Sequence, residues 1–224
     1  MTAQPSGWGL SAHETIAAWE GAAPSVARLR RSSDRRVAGG GVDTELIARA
    51  QQGDHEAYTR LLETGLADRL LGVARWILRD VGLAEDAAQQ ALLAIWRDLP
   101  RLRDPLSFDA WAYRILVRAC HAEGRNQRRW MPGIARTTPD PASRTDGLGW
   151  IADRDELESA FRRLSVDHRT IVVLRFYLDL PVERVAELLG VPGGTVQSRL
   201  HYAMRALRAA LDADARTTPR QGRR

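Results

Sequence analysis

The sequence predicts an all-α protein of two small helical domains joined by a flexible linker, the C-terminal domain containing a helix-turn-helix. Apolar residues recur at helical spacing through two blocks, 43–129 and 153–211. Between them, residues 130–152 carry Pro132, Gly133, Pro139, Pro141, Gly147 and Gly149, a density of breakers that no helix sustains. No stretch reads as a strand.

Residues 1–42 are rich in Gly, Ala, Ser and Arg and close on Gly39, Gly40 and Gly41, a linker-like composition that predicts a weakly ordered extension. Asp43 stands where an N-cap is needed for the first helix. Gly53 and Asp54 separate it from a second helix over about 54–79, striped by Tyr58, Leu61, Leu62, Leu66, Leu70, Val73 and Ile77. Gly82 separates a third helix, about 84–98, with Ala88, Leu92, Ile95 and Leu99 on one side. The loop from Pro100 to Pro105 precedes a fourth helix, about 107–128, whose apolar stripe is read as Phe108, Trp111, Ile115 and Ala119. The tryptophans Trp76, Trp96 and Trp111 are expected in the core.

The second block begins with helices at 153–163 and 166–177. Val182, Val185, Ala186 and Leu189 then fall at i, i+3, i+4 and i+7. Gly190 stops that helix, because glycine takes the left-handed C-cap conformation without strain. After Pro192 a second run follows: Val196, Leu200, Ala203, Leu207 and Leu211. Two short helices about a glycine turn form a helix-turn-helix, whose second helix suits a DNA major groove. The basic tail 212–224 is expected to be disordered.

The 224 residues allow one medium domain or two small ones. Hydrophobic residues make up 44% and charged residues 27%, as in soluble globular proteins. Net charge is +5 and the isoelectric point about 10.2. All 33 cationic residues are arginine, so only their placement carries information. The lone Cys120 excludes an internal disulfide and a multi-cysteine metal site. It lies about 100° from His121 around a helix, so the two cannot form a nucleophile–base pair, and a core thiol is expected. No metal spacing, phosphate-binding glycine loop or nucleophile motif is present, so neither an enzyme nor a cofactor is expected. No apolar run approaches a membrane span and no secretory signal opens the chain, which predicts a cytoplasmic protein without membrane insertion.

Four separated runs carry a family likeness. The run from Ala84 to Trp96 (AEDAAQQALLAIW) resembles the polymerase-binding helix of bacterial sigma factors. The run from Phe108 to Val117 (FDAWAYRILV) resembles the promoter-melting helix that follows it. The runs from Leu164 to Arg175 (LSVDHRTIVVLR) and from Gly194 to His201 (GTVQSRLH) resemble the family's C-terminal domain. The likeness covers roughly 43–211 and is closest to the two-domain extracytoplasmic-function (ECF) sigma factors.

The resemblance implies a subunit that holds core RNA polymerase, reads two promoter elements and traps melted DNA. Residues 43–129 would be region 2 and 153–211 region 4. Glu85, Asp86, Gln89, Gln90, Leu93 and Trp96 would meet the polymerase. For the −10 element, the loop with Arg101, Arg103 and Ser107 would receive a flipped base, whose extrusion costs a few kcal/mol of stacking. Tyr113, Arg114, Arg118, Arg125, Arg128 and Arg129 would supply stacking and phosphate neutralisation. For the duplex −35 element, the recognition helix offers Gln197, Ser198, Arg199, His201, Tyr202 and Arg205, with Thr195 toward a phosphate. The chain departs from the family's usual residues at Arg118, Ala122, Gln197 and Tyr202. The linker would thread through polymerase or act as a plain tether. An anti-sigma protein is the implied further partner. The alternative is a helix-turn-helix regulator that acts without polymerase, with 43–129 as its effector domain.

Overall fold

The computed structural model describes residues 43–130 and 160–217, with side chains described for 43–127 and 160–209. The expected N-terminal extension, nearly all of the linker, the first part of the 153–163 helix and the end of the tail lie outside the described residues. Every regular element among the described residues is helical.

Helix α1 (Thr44–Gln51) begins where the Asp43 side chain accepts from the amides of Glu45 and Leu46. Asp54 caps α2 (His55–Leu61) in the same way through the Ala57 amide. The single helix expected over 54–79 does not form. A π-helical turn at Leu62–Leu66 interrupts it, with Gly65 at φ 88°, before α3 (Ala67–Leu78) resumes. The apolar stripe continues on both sides of this turn, so hydrophobic spacing alone hides the kink. At the end of α3, Arg79 adopts the left-handed conformation (φ 57°) and its amide closes on the Arg75 carbonyl.

Helix α4 (Val81–Asp98) starts earlier than expected. Asp80 caps it through the Leu83 amide, so Gly82 lies inside the first turn rather than before it. Two 3₁₀ turns, Leu99–Arg101 and Pro105–Ser107, lead into α5 (Phe108–Trp130). The buried face of α5 is Phe108, Ala112, Leu116, Val117 and Cys120, not the expected Phe108, Trp111, Ile115 and Ala119. Both stripes have helical spacing. The one rich in small residues wins because α4 and α5 pack closely, with Ala84, Ala87, Ala88 and Ala91 buried on the facing helix.

In the second block, residues 160–163 end a helix and Ser165 caps α6 (Val166–Val172) through the His168 amide. The expected continuous helix to 177 instead finishes as a π-helical turn, Val173–Tyr177. Helix α7 (Val182–Leu189) ends on Gly190 at φ 67°, and α8 (Gly193–Thr217) follows. The two blocks pack on each other through α3 and α5 of the first and α6, the π-turn and α7 of the second. Their buried residues form one continuous apolar cluster.

Candidate nucleic-acid interface

Three surfaces carry the residues that sequence reasoning selects. The first is the outer face of α4. Ala84, Ala87, Ala88, Ala91 and Ile95 turn inward, which leaves Glu85, Asp86, Gln89, Gln90 and Leu93 exposed along one side. Leu93 is 64% exposed, the apolar member of this polar stripe. Glu85 pairs with Arg75 at 3.4 Å, and the Gln90 amide donates to Glu123 at 2.8 Å. Trp96 differs from the rest. Its ring centroid lies 4.7 Å from those of both His55 and Tyr58, so it ties α4 to α2. The Tyr58 hydroxyl donates to the Leu92 carbonyl at 2.7 Å, and burial pushes its pKa up to about 12.

The second surface is the loop between α4 and α5 with the outer side of α5. Arg101 and Arg103 are exposed on the loop. Asp104 organises its far end, accepting from the Leu106 amide at 3.0 Å and from the Ser107 hydroxyl at 2.6 Å. Leu106 between them is 84% exposed. The near end is anchored from outside, since the Gln51 side-chain amide donates to the Leu99 and Leu102 carbonyls at 3.2 and 2.6 Å. Sequence reasoning missed both devices. The Asp104-Pro105 pair is a readable turn signal, but nothing local points from Gln51 to a carbonyl 51 positions away.

On α5, Arg118 and Arg125 are exposed, while Arg128 and Arg129 lie on the last described turns, beyond the described side chains. Tyr113 and Arg114 are not on this open side. Tyr113 is half-buried, within electrostatic range of Arg69, Asp109 and Tyr177, and burial pushes its pKa up to about 12. Burial likewise raises the Asp109 carboxyl, against the pull of Arg69. Arg114 Nη2 donates to the Glu187 carbonyl of α7 at 3.3 Å.

The third surface is the outer face of α8. Val196, Leu200, Ala203, Met204 and Leu207 are buried against α6 and α7. That orientation presents Gln197, Ser198, His201, Tyr202 and Arg205 outward, with Thr195 and Arg199 half-buried at the edge. The Ser198 hydroxyl donates to the Thr195 carbonyl at 3.0 Å and keeps its acceptor capacity, while the His201 ring stands edge-on to Tyr202 with centroids 6.0 Å apart, the tyrosine being 59% exposed. An amide, an imidazole, a phenol and a guanidinium on one helical face are the groups that read base edges and phosphates.

No cluster of His, Cys, Asp and Glu among the described residues could hold a metal ion. No described helix is long and apolar enough to cross a membrane. Cys120 is buried, and burial pushes its thiol up to about 12.

The chain is similar to known proteins over most of its length. The family model for sigma-70 region 2 matches residues 64–129, and that for sigma-70 region 4 matches residues 160–209. The RNA polymerase sigma-H factor of Pseudomonas aeruginosa is 30% identical over 184 residues, which cover 75% of this chain and 93% of that protein. The ECF RNA polymerase sigma factor SigL of Mycobacterium tuberculosis is 31% identical over 179 residues, covering 79% and 95%. Among solved structures, CnrH in complex with the cytosolic domain of CnrY superposes with a TM-score of 0.53 at 26% identity, over 77% of this chain and 98% of that one. The sigma factor RpoE from Bartonella quintana, solved with the anti-sigma factor NepR, shares the fold (TM-score 0.55, 23% identity, 66% and 92% coverage).

Proposed function

The chain belongs to the sigma-70 family as an ECF sigma factor that directs promoter-specific transcription initiation, and on that premise we propose how its own residues divide the work. The observation that carries the assignment is the separation of three surfaces on one scaffold. Each has the chemistry of a different partner. A family of DNA-binding polymerase subunits needs no catalytic group.

The exposed stripe Glu85, Asp86, Gln89, Gln90 and Leu93 holds core RNA polymerase, with Leu93 as its apolar anchor. Trp96 acts one step back, by fixing α4 against α2. The α8 face reads the duplex −35 element. Gln197 suits an adenine edge, and each good bidentate pair discriminates by about 1–3 kcal/mol. Arg205 and the half-buried Thr195 serve phosphates, which set register without reading sequence. The loop around Asp104 receives a base flipped from the −10 element. Its two anchors matter because the few kcal/mol lost on unstacking are recovered only in a pocket already in shape. Arg101, Arg103, Arg118 and Arg125 neutralise the phosphates of the melted strand, with Arg128 and Arg129 continuing that line. Tyr113 and Arg114 complete this surface once they are free of the C-terminal block.

We assign region 2 to 43–129 and region 4 to 153–211, working in the cytoplasm with polymerase. An anti-sigma protein is the expected regulator, in keeping with the protein partner bound to CnrH. Run-off transcription with core polymerase on genomic DNA tests the reading. Discrete, protein-dependent starts sharing two upstream motifs are expected. Gln197→Ala should relax preference at a single −35 position and cost about 1–3 kcal/mol there. Tight binding to duplex DNA without any polymerase-dependent start would instead favour the free-standing regulator.

A further inference from the structure

The outward side of α8 is sparing with charge. From Gly193 to Ala209 the helix carries three arginines and no carboxylate. Arg199 is half-buried at the edge, and Arg208 follows about two turns beyond His201. Arg205 is therefore the one permanent cation beside Gln197, Ser198, His201 and Tyr202 on the exposed face. The loop before α5 and the outer side of α5 expose Arg101, Arg103, Arg118 and Arg125. One more charge changes little there, but on α8 it doubles the cations at the centre of the face.

His201 is the group that can supply that charge. It is exposed, one turn from Gln197 and one turn from Arg205. Histidine is the side chain whose charge changes between pH 5 and 8. Its ring stands edge-on to Tyr202, with centroids 6.0 Å apart and planes at 75°. Successive side chains leave a helix about 100° apart, so the two rings lean toward each other and the contact orients the imidazole. An aromatic ring within about 6 Å also steadies a cation.

No carboxylate pairs with His201 among the described residues. The helices packed on α8 use their charges elsewhere. On α7, Arg184 pairs with Glu187 at 2.7 Å, and Glu183 is exposed in the first turn. On α6, Asp167 lies 3.6 Å from His121, Arg169 donates to the Leu78 carbonyl, and His168 is half-buried. An imidazolium at 201 thus has no neutralising partner in the described chain, and the ligand of this face is a polyanion.

The two states of the ring suit different bases. Imidazolium has two N–H donors and no acceptor, whereas the neutral ring has one of each. In the major groove guanine presents two acceptors, N7 and O6. Adenine sets its N6 amino donor beside N7, and cytosine presents an N4 donor. The protonated ring fits guanine and can accept nothing from an amino group; the neutral ring can.

We propose that the charge state of His201 sets base preference at one −35 position: protonated, it selects guanine, and the selection fades as pH rises through the imidazole range. The proposal rests on the α8 face reading the −35 duplex. Binding the guanine site then takes up a proton, so affinity for it falls from pH 6 to pH 8. Charge-assisted hydrogen bonds are about twice as strong as neutral ones, which sets the expected change in preference at about tenfold. One more neutralised phosphate should also steepen the salt dependence at pH 6 by about 0.9 in log–log slope.

The test uses the full chain assembled with core polymerase. Promoters found by run-off transcription are varied one base pair at a time across the −35 element, and binding is measured at pH 6 and pH 8. Each result is a ratio between two promoters at one pH, so effects of pH on the polymerase itself cancel. At one position the guanine-over-adenine ratio should be about tenfold higher at pH 6 than at pH 8. His201→Gln should remove this pH effect, and His201→Arg should hold the guanine preference at both pH values. Ratios that do not move with pH would overturn the proposal, as would an unaltered pH effect in His201→Gln. Gln197→Ala and Arg205→Ala read the premise separately. If both leave −35 binding untouched, the assignment of α8 to that element fails. If they weaken it while the ratios ignore pH, only the role of His201 fails.

Discussion

At the residue scale, single side chains here do work that their type does not announce. Asp43, Asp54, Asp80 and Ser165 each accept from an amide in the first turn of the helix that follows. The pKa of the Asp54 carboxyl is lowered from its ordinary value, first by the Ala57 amide and then by Arg49. A lowered native pKa contributes stability that is present above the unfolded value and is lost as pH falls through the native one. Asp54 thus adds to acid sensitivity, not alkaline sensitivity. Cys120 gives a sharper expectation. With its pKa pushed up to about 12 by burial, the thiolate fraction at pH 8 falls roughly a thousandfold below that of a free thiol. Labelling of this lone cysteine by a thiol reagent at pH 8 should therefore be negligible in native protein and complete in denaturant. Rapid native labelling would mean that α5 does not pack as described.

At the element scale, the loop between α4 and α5, to which we assign the −10 element, is informative because it is short and tethered at both ends. Asp104 acts within the loop and Gln51 acts from α1. Gln51→Ala removes two hydrogen bonds to backbone, each worth about 0.5–1.5 kcal/mol net. The expected result is a modest loss of stability and a larger loss of −10 base discrimination, with −35 discrimination unchanged. Footprinting of single-base promoter variants would show it. Equal losses at both elements would make Gln51 a general fold residue and nothing more. The Asp104 turn was readable from Asp-Pro chemistry, whereas the Gln51 anchor was not, because a hydrogen bond spanning 51 positions leaves no periodicity. The kink at Gly65 escaped notice for a related reason: the stripe from Leu61 to Leu70 keeps facing the core through a π-helical turn.

At the scale of the whole molecule, the docking of the two blocks decides which surfaces are open. Arg169 is the clearest single contributor, a buried guanidinium of one block capping a helix of the other. Arg169→Ala should cost about 1–3 kcal/mol and, by weakening the interface, split one calorimetric transition into two, the C-terminal block melting first. One transition at an unchanged temperature would show that the interface contributes little.

The helices themselves were legible, because caps, glycine stops and 3.6-residue periodicity are local signals that chemistry imposes within one or two turns. So were the residues of the α4 stripe and the α8 face, since a helix that must bury one side has to expose the other. Which of two equally periodic stripes on α5 goes inside was not legible; the close approach of the alanine-lined α4 settled it. Nor was the fate of Tyr113 and Arg114. Their positions on α5 depend only on the sequence around them, but their exposure depends on whether Tyr177 and Glu187 arrive from more than sixty residues away. Local spacing determined what each helix offers, and only the packing of one block on the other decided what is covered, because burial is a property of pairs of surfaces and not of either one alone.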